Sequence, residues 1–333
     1  MKIRWGVLGV ARIATEKVIP AMQQGTWSEV TAIASRDLAK AQTAAARLGI
    51  PKAYGLYEAL LADRDVDAIY NPLPNDLHVP WTTKAAEQGK HVLCEKPIAL
   101  SAEEARDLLA VRDRTGVKIQ EAFMVRTHPQ WLKVKALVRD GAIGELRSML
   151  GAFSYFNRDP ANIRNIPAAG GGALMDIGCY LINTSRFIFD AEPARVVGVI
   201  DRDPHMRTDR LTSILLDFGT GHAAGICSTQ MVPYQQMQIF GTTGRIELPI
   251  PFNAPHDRPC RILLDTGADL FGGGTSHVEM ETCNQYTIQG DLFSRAILEN
   301  TDVPSPLEDA VKNMACIDAV FKSAKTGRWE APQ

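Results

Sequence analysis

The chain has 333 residues, 45% of them hydrophobic and 22% charged, with a formal net charge of −2. That length exceeds what one hydrophobic core usually supports, roughly 250–300 residues, so two domains are expected. The even mix of acids and bases offers no basic field for nucleic acid or a membrane surface, and no apolar run nears the roughly 20 residues that span a bilayer.

A strand pattern begins at Ile3 with no secretory signal ahead of it. Cys94, Cys179, Cys227, Cys260, Cys283 and Cys316 lack metal or redox spacing. They read as reduced thiols of a cytoplasmic protein with no bound metal. The partner expected is a small molecule, with no nucleic acid and no membrane.

In chain order, strands are expected at Arg4–Leu8, Glu29–Ala34, Ala68–Asn71, His91–Cys94 and Lys118–Glu121. Helical stretches such as Leu38–Leu48 and Ala102–Thr115 lie between them. Strands alternating with helices imply a doubly wound parallel sheet, the Rossmann arrangement. After Phe123 the rhythm changes. A helix near Gln130–Asp140 precedes an extended stretch, Leu146–Asn157, then a glycine run and a helix, Ala173–Phe187. Short strands follow at Ala194–Val199, Thr212–Phe218, His222–Thr229, Gln236–Phe240 and Arg245–Leu248, and a last helix covers Leu307–Ala324. Phe271–Gly274 reads as a hairpin turn, since no helix pattern follows it. The expected organisation is an α/β Rossmann domain over residues 1–122, then an α+β domain with an open, mainly antiparallel sheet over residues 123–333.

The run Trp5-Gly-Val-Leu-Gly-Val-Ala-Arg-Ile-Ala14 leaves the first strand and opens a helix. Gly9, Ala11 and Ala14 stand at the three small-residue positions of a dinucleotide fingerprint, where backbone amides approach a pyrophosphate. The second strand ends in Ala34-Ser-Arg-Asp37. A hydroxyl and a guanidinium ahead of the acid suit a 2′-phosphate, with Lys40 one turn on, so the cofactor expected is NADP. The competing reading makes Arg36 a solvated surface residue and Asp37 the ribose ligand.

Cys94-Glu-Lys-Pro97 follows an apolar strand and so falls at the carboxyl edge of the sheet, where ligands bind. A lysine there orients a hydroxyl and lowers the pKa of a neighbouring acid. In Gly170-Gly-Gly-Ala-Leu-Met-Asp176-Ile-Gly-Cys-Tyr180, the carboxylate and the phenol are spaced i, i+4 and share a helical face. Arg126 and His128 follow the fifth strand as cleft candidates. Asn284, Gln285 and Tyr286 precede a helix and are within sequence reach of a sugar. His205, His222, His256 and His277 read as structural or exposed.

Taken together, the Gly9 turn, Asn71-Pro-Leu-Pro-Asn75 with His78, Gly89-Lys-His-Val-Leu-Cys-Glu-Lys-Pro97, Glu121-Ala-Phe-Met124 and Gly170–Tyr180 make the chain resemble the glucose–fructose oxidoreductase/inositol dehydrogenase (Gfo/Idh/MocA) family. It looks most similar to the branch of glucose–fructose oxidoreductase, NADP-xylose dehydrogenase and dihydrodiol dehydrogenase. That branch carries tyrosine at the position of Tyr180, where inositol dehydrogenase-like members carry histidine. Ala11 departs from the family pattern.

The resemblance implies catalysis by Lys96 and Tyr180 with Asp176 assisting in the substrate pocket, and Met124 and Arg126 complete the expected substrate-binding set. It implies cofactor contacts from Ser35, Arg36, Asn71, Leu73, Asn75, His78, Glu95 and Arg164, which join Gly9, Ala11, Arg12, Ile13, Lys40 and Lys96 as the expected cofactor-binding set. The expected reaction moves a hydride between C1 of an aldose, pyranose to lactone, and the nicotinamide, with lysine–tyrosine acid–base chemistry. Alternatives are an aldose–aldose oxidoreductase that retains NADP, a trans-dihydrodiol dehydrogenase, and a non-catalytic NADP sensor, which has no use for Lys96, Asp176 and Tyr180 together. The open sheet implies a homodimer or larger homo-oligomer.

Overall fold

The computed structural model describes residues 1–333. They form two compact units, Met1–Met124 with Asn284–Val311, and Val125–Cys283 with Lys312–Gln333.

The first unit holds six parallel strands, β1 (Ile3–Leu8), β2 (Ser28–Ala34), β3 (Lys52–Tyr54), β4 (Ala68–Asn71), β5 (His91–Cys94) and β6 (Ile119–Glu121), in the order β3-β2-β1-β4-β5-β6. Five of these were expected. β3 is three half-buried residues with no readable period. Helices cover both faces of such a sheet, so β1 and β4 read as nearly unbroken apolar runs. Strand order reverses between β1 and β4, which makes their carboxyl ends the natural ligand edge.

The helix Gln285–Leu298 also belongs to this unit. Its Phe293 ring lies 5.6 Å from that of Trp5. Trp5 Nε1 donates to Ser294 Oγ at 3.0 Å, and the Asp291 carboxylate accepts from the amides of Thr26 and Trp27 at 2.7 and 2.9 Å. Asn284 caps the helix by accepting from Tyr286 N at 3.0 Å.

The second unit is built on eight strands: β7 (Leu146–Phe156), β8 (Arg195–Arg202), β9 (Asp209–Asp217), β10 (His222–Ser228), β11 (Gln230–Gly241), β12 (Arg245–Leu248), β13 (Cys260–Asp265) and β14 (Thr275–Met280). Their order is β14-β13-β12-β11-β7-β10-β9-β8, antiparallel except for β7 with β10. β11 is longer than the Gln236–Phe240 expected, and its register breaks between Gln230 and Tyr234. Pro233 lies in that break and has no N–H for the ladder. Phe271–Gly274 falls in the connection between β13 and β14.

One face of this sheet is packed. Leu181 of the helix Cys179–Phe189 sits on Gly151 and Gly225, where a Cβ would come within 2.6 and 2.9 Å of its methyl carbons. Two glycines on paired strands therefore let the helix that carries Tyr180 lie close to the sheet. On the other face Leu150, Ile226 and Val199 are 46%, 38% and 73% exposed. Ala152, Ala224, Leu215 and Val197 are half-buried beside them. All six cysteines are free thiols, and no helix is long and apolar enough to cross a membrane.

Candidate active site

At the end of β1 the chain turns through Gly9, whose φ of 84° favours glycine. A Cβ there would lie 3.1 Å from Leu73 Cδ2 and 3.7 Å from the Tyr57 hydroxyl. The next helix opens with a π-helical turn, Ala14–Val18, and Ala14 is fully buried as close helix–strand packing requires. Ala11 and Ile13 are half-buried. Arg12 is exposed and pairs with Glu16 at 3.1 Å.

At the end of β2 the Asp37 carboxylate accepts from Lys40 N at 3.2 Å, capping the helix Leu38–Leu48. The Lys40 ammonium stands 4.0 Å from the same carboxylate. Asp37 is thereby engaged with its own helix. Ser35 is buried and Arg36 is exposed. The Arg36 guanidinium acts on Tyr57, whose phenol burial pushes up and the cation pulls back. The glycine turn, the hydroxyl and the guanidinium together fit a phosphorylated dinucleotide.

The Lys96 turn is held from behind. Glu95 Oε1 accepts from the buried Tyr70 hydroxyl at 2.6 Å, and Glu95 Oε2 from Lys96 N at 3.3 Å. The Lys96–Pro97 peptide is cis. Ile98 N donates to the buried Glu121 carboxylate at 2.8 Å. His78 is fully buried, with Nδ1 2.7 Å from Pro97 O and Nε2 2.7 Å from Leu73 O. Burial pushes its imidazole down to about 4 against the pull of those carbonyls, so the ring is neutral and donates to one of them.

Asn71 is also fully buried, donating to His78 O at 3.1 Å and to Thr82 Oγ1 at 3.2 Å. Sequence reasoning made Asn71 and His78 cofactor contacts. In the structure the Asn71 side chain also accepts from Leu73 N at 3.4 Å, so both side chains bond within their own unit. Tyr70 had no sequence signal, and Glu121 was quoted in a motif without a role.

In the second unit, Leu174–Gly178 is a π-helical turn that continues into Cys179–Phe189. Such widened turns recur at functional sites. Asp176 Oδ2 accepts from the Tyr155 hydroxyl at 2.6 Å and from Arg164 Nε at 3.0 Å. Burial and the Asp176 charge push the Tyr155 phenol far up, so it remains a donor. Tyr180 is buried, its ring 5.8 Å from Phe153 and 5.3 Å from Phe252. Tyr155 was missed because nothing in its extended stretch singles it out.

Met124 is buried at the exit of β6. Arg126 lies over the Phe187 ring at 4.5 Å. His128 Nδ1 accepts from Gln130 N at 3.1 Å, which leaves the ring proton on Nε2, 3.5 Å from Cys283 Sγ. Burial holds His128 down to about 4, so this pair does not activate a thiolate. No group of three or more His, Cys, Asp or Glu side chains is placed to hold a metal.

A Rossmann unit with a glycine turn at the switch point, joined in one chain to a second sheet bearing a carboxylate and a phenol on one helix, is the build of a dinucleotide-dependent oxidoreductase. Residues 3–123 match the oxidoreductase family model described as GFO/IDH/MocA, NAD-binding Rossmann fold, and residues 131–247 match the GFO/IDH/MocA C-terminal domain. The chain belongs to that family.

It is 47% identical over 329 residues to an uncharacterized oxidoreductase of Rhizobium meliloti, covering 98% of each chain. It is 37% identical over 325 residues to a D-xylose 1-dehydrogenase (NADP(+)) of Haloferax volcanii, covering 97% of this chain and 98% of that one. A 3-ketoreductase from Actinomadura kijaniata, solved in complex with NADP and TDP-benzene, superposes with a TM-score of 0.90 at 30% identity, over 97% of this chain and 98% of that one.

Proposed function

We propose that this chain is an NADP-dependent sugar dehydrogenase that moves a hydride between C1 of an aldose, pyranose to lactone, and the nicotinamide. The observation that carries the reading is the Asp176–Tyr180 segment. A carboxylate fixed by Tyr155 and Arg164 stands one turn before a phenol, a density of donors and acceptors suited to adjacent hydroxyls. The full-length likeness to a D-xylose 1-dehydrogenase supports the substrate class. Ser35 and Arg36, with Asp37 engaged as a helix cap, support NADP over NAD.

NADP, when bound, supplies the hydride acceptor. Gly9, Ala11, Arg12, Ile13, Leu73, Asn75 and Glu95 would hold the dinucleotide, and Arg36 its 2′-phosphate. Tyr180 Oη takes the proton from the anomeric hydroxyl as the C1–H electron pair departs, and returns it in the reverse direction. The Lys96 ammonium orients that hydroxyl and favours the phenolate. Asp176 accepts from a neighbouring sugar hydroxyl.

A second reading is reduction of a 3-keto sugar nucleotide with the same lysine and tyrosine, favoured by the likeness to the Actinomadura kijaniata 3-ketoreductase. Titrating NADP and NAD into the protein and into Arg36→Ala, then following nicotinamide absorbance with D-xylose, D-glucose and other aldoses, tests the first reading. Arg36→Ala should weaken NADP about 10- to 100-fold and leave NAD nearly unchanged, as loss of a charge-assisted contact does. Equal losses for both cofactors would remove the phosphate assignment. Tight TDP binding without aldose turnover would favour the second reading.

We also propose that two copies associate through the outer face of the eight-stranded sheet. Leu150 of β7, Ile226 of β10 and Val199 of β8 are exposed there across the run β7-β10-β9-β8, and contiguous apolar patches mark interaction sites. Light scattering should return twice the 36.5 kDa of one chain, and Ile226→Glu should return one.

A further inference from the structure

The second unit buries a carboxylate that the proposed reaction does not use. Asp209, the first residue of β9, is 1% exposed. Its Oδ2 accepts from the backbone amide of Leu174 at 2.6 Å and from Thr212 Oγ1 at 3.0 Å. Leu174 opens the π-helical turn that carries Asp176.

The glycine run fits around this contact. Gly172 has a φ of 126°, and a Cβ there would collide with the Asp209 carboxylate. A Cβ on Gly171 would press on the Arg164 and Ile163 carbonyls. Gly172 N donates to Arg164 O at 2.9 Å, and Asp176 N to Gly172 O at 3.0 Å. Asp209, Leu174, Gly172, Arg164 and Asp176 thus form one connected set, and three of its links are the backbone amides of Leu174, Gly172 and Asp176, in the segment that places Asp176 and, four residues on, Tyr180.

We propose that Asp209, as a carboxylate, is a positioning residue that holds the Gly172–Leu174 turn and through it sets Asp176 and Tyr180. The proposal deepens the dehydrogenase reading and rests on it for the roles of those two side chains. A carboxylate accepts from an amide about twice as strongly as a neutral oxygen does, so ionisation tightens the turn and protonation slackens it. Burial raises Asp209 to about 6, opposed by the Leu174 amide, the Thr212 hydroxyl and Arg202. Tyr155 of β7 and Cys227 of β10 also feel its charge. A buried charge costs stability unless well compensated. Its presence beside the Asp176–Tyr180 segment fits a group retained for geometry at the expense of the fold.

The test is a pH titration of backbone amides by proton–nitrogen NMR on the full chain, which needs no substrate. The amides of Leu174, Asp176 and Tyr180 should shift together with a common midpoint near 6, and should stop doing so in Asp209→Asn. That variant should melt at or above the parent temperature while kcat on an aldose falls about tenfold or more and the NADP dissociation constant stays within about twofold.

Thr212→Val is the second variant. It removes a donor that favours the ionised form, so the common midpoint should move to higher pH. Titration of Leu174 alone, or a Thr212→Val midpoint equal to the parent's, overturns the proposal. So does an Asp209→Asn enzyme whose kcat loss is matched by lost thermal stability, since that marks scaffolding only. If no aldose is oxidised, the reading of the reaction falls, while the amide titration still decides the role of Asp209.

Discussion

In the first unit His78 is buried between Leu73 O and Pro97 O as a neutral ring held down to about 4. In the second, Asp209 is buried against Leu174 N as an acid raised to about 6. Each sits directly behind the segment that carries a candidate reactive side chain, and acid acts on them in opposite senses. The ordinary histidine value is 6.5, so the unfolded chain takes a proton there that folded His78 refuses. Stability from His78 is fully present above that value and is lost as pH falls toward about 4. Asp209 runs the other way. Its ordinary value is 3.8, so the fold takes up a proton near 6 that the unfolded chain does not, and stability is gained as pH falls from about 6 toward 3.8. A neutral brace keeps the Lys96 turn indifferent to pH near neutrality. A charged brace makes the Asp176–Tyr180 segment responsive there.

The comparison matters for function only if the braced side chains react, and removing them should give the largest effect. Tyr180→Phe should lower kcat by roughly 10²–10⁴-fold with cofactor binding retained, the range of general acid–base catalysis. Lys96→Ala should lose a comparable amount and move any residual pH optimum upward, because the proposed mechanism has the Lys96 charge favour the phenolate. Two residues acting as one unit give a double variant little worse than either single one. Steady-state kinetics on the best aldose checks all three. Near-parental kcat in Tyr180→Phe breaks the mechanism, and additive losses uncouple the pair.

The opposite responses to acid can be measured directly. His78 should cost about 3 kcal/mol of stability across its whole window from 6.5 to about 4, at 1.36 kcal/mol per pKa unit. Urea unfolding at pH 7 and pH 5 should therefore show a shallower acid loss in His78→Gln than in the parent. Asp209→Asn should show a steeper one, because it removes the group that gains. Slopes equal to the parent's in both variants would mean that neither group titrates with folding, and the contrast between the units would fall.

Much of this was legible in the sequence. The alternation of strands and helices marked the Rossmann sheet, and Gly9, Lys96, Asp176 and Tyr180 stood in motifs that made them site candidates. What stayed dark depends on register and on packing partners. Tyr155 meets Asp176 from 21 residues away and Asp209 meets Leu174 from 35 residues away, distances set by how β7 and β9 fall in the sheet and by no local pattern. The helix Gln285–Leu298 shows an apolar stripe, but a stripe does not say which surface it covers. Contacts such as Trp5 with Phe293 and Ser294, and Asp291 with the Thr26 amide, assign it to the first unit. β14 is mostly exposed and polar, so it has no alternation to read. His78 was visible as a motif residue, yet only burial shows that it faces carbonyls of its own chain.

The smallest effect separates two accounts of Arg164. The family resemblance makes it a cofactor contact, whereas the structure places its Nε on Asp176 at 3.0 Å with the Arg164 side chain 42% exposed. A half-exposed ion pair contributes at most about 1 kcal/mol, and Asp176 keeps the shorter bond from the Tyr155 hydroxyl when the guanidinium is removed. Arg164→Gln should therefore lower kcat no more than about fivefold and leave the NADP dissociation constant within about twofold. Tyr155→Phe should cost more, because its donor is buried against a charged acceptor, a bond of roughly 1.5–3 kcal/mol. If NADP affinity instead falls about tenfold in Arg164→Gln, its guanidinium serves the cofactor. Asp176 would then depend on Tyr155 and on the turn that Asp209 holds, which would make the charged bracing of the second unit tighter than the ion pair suggests.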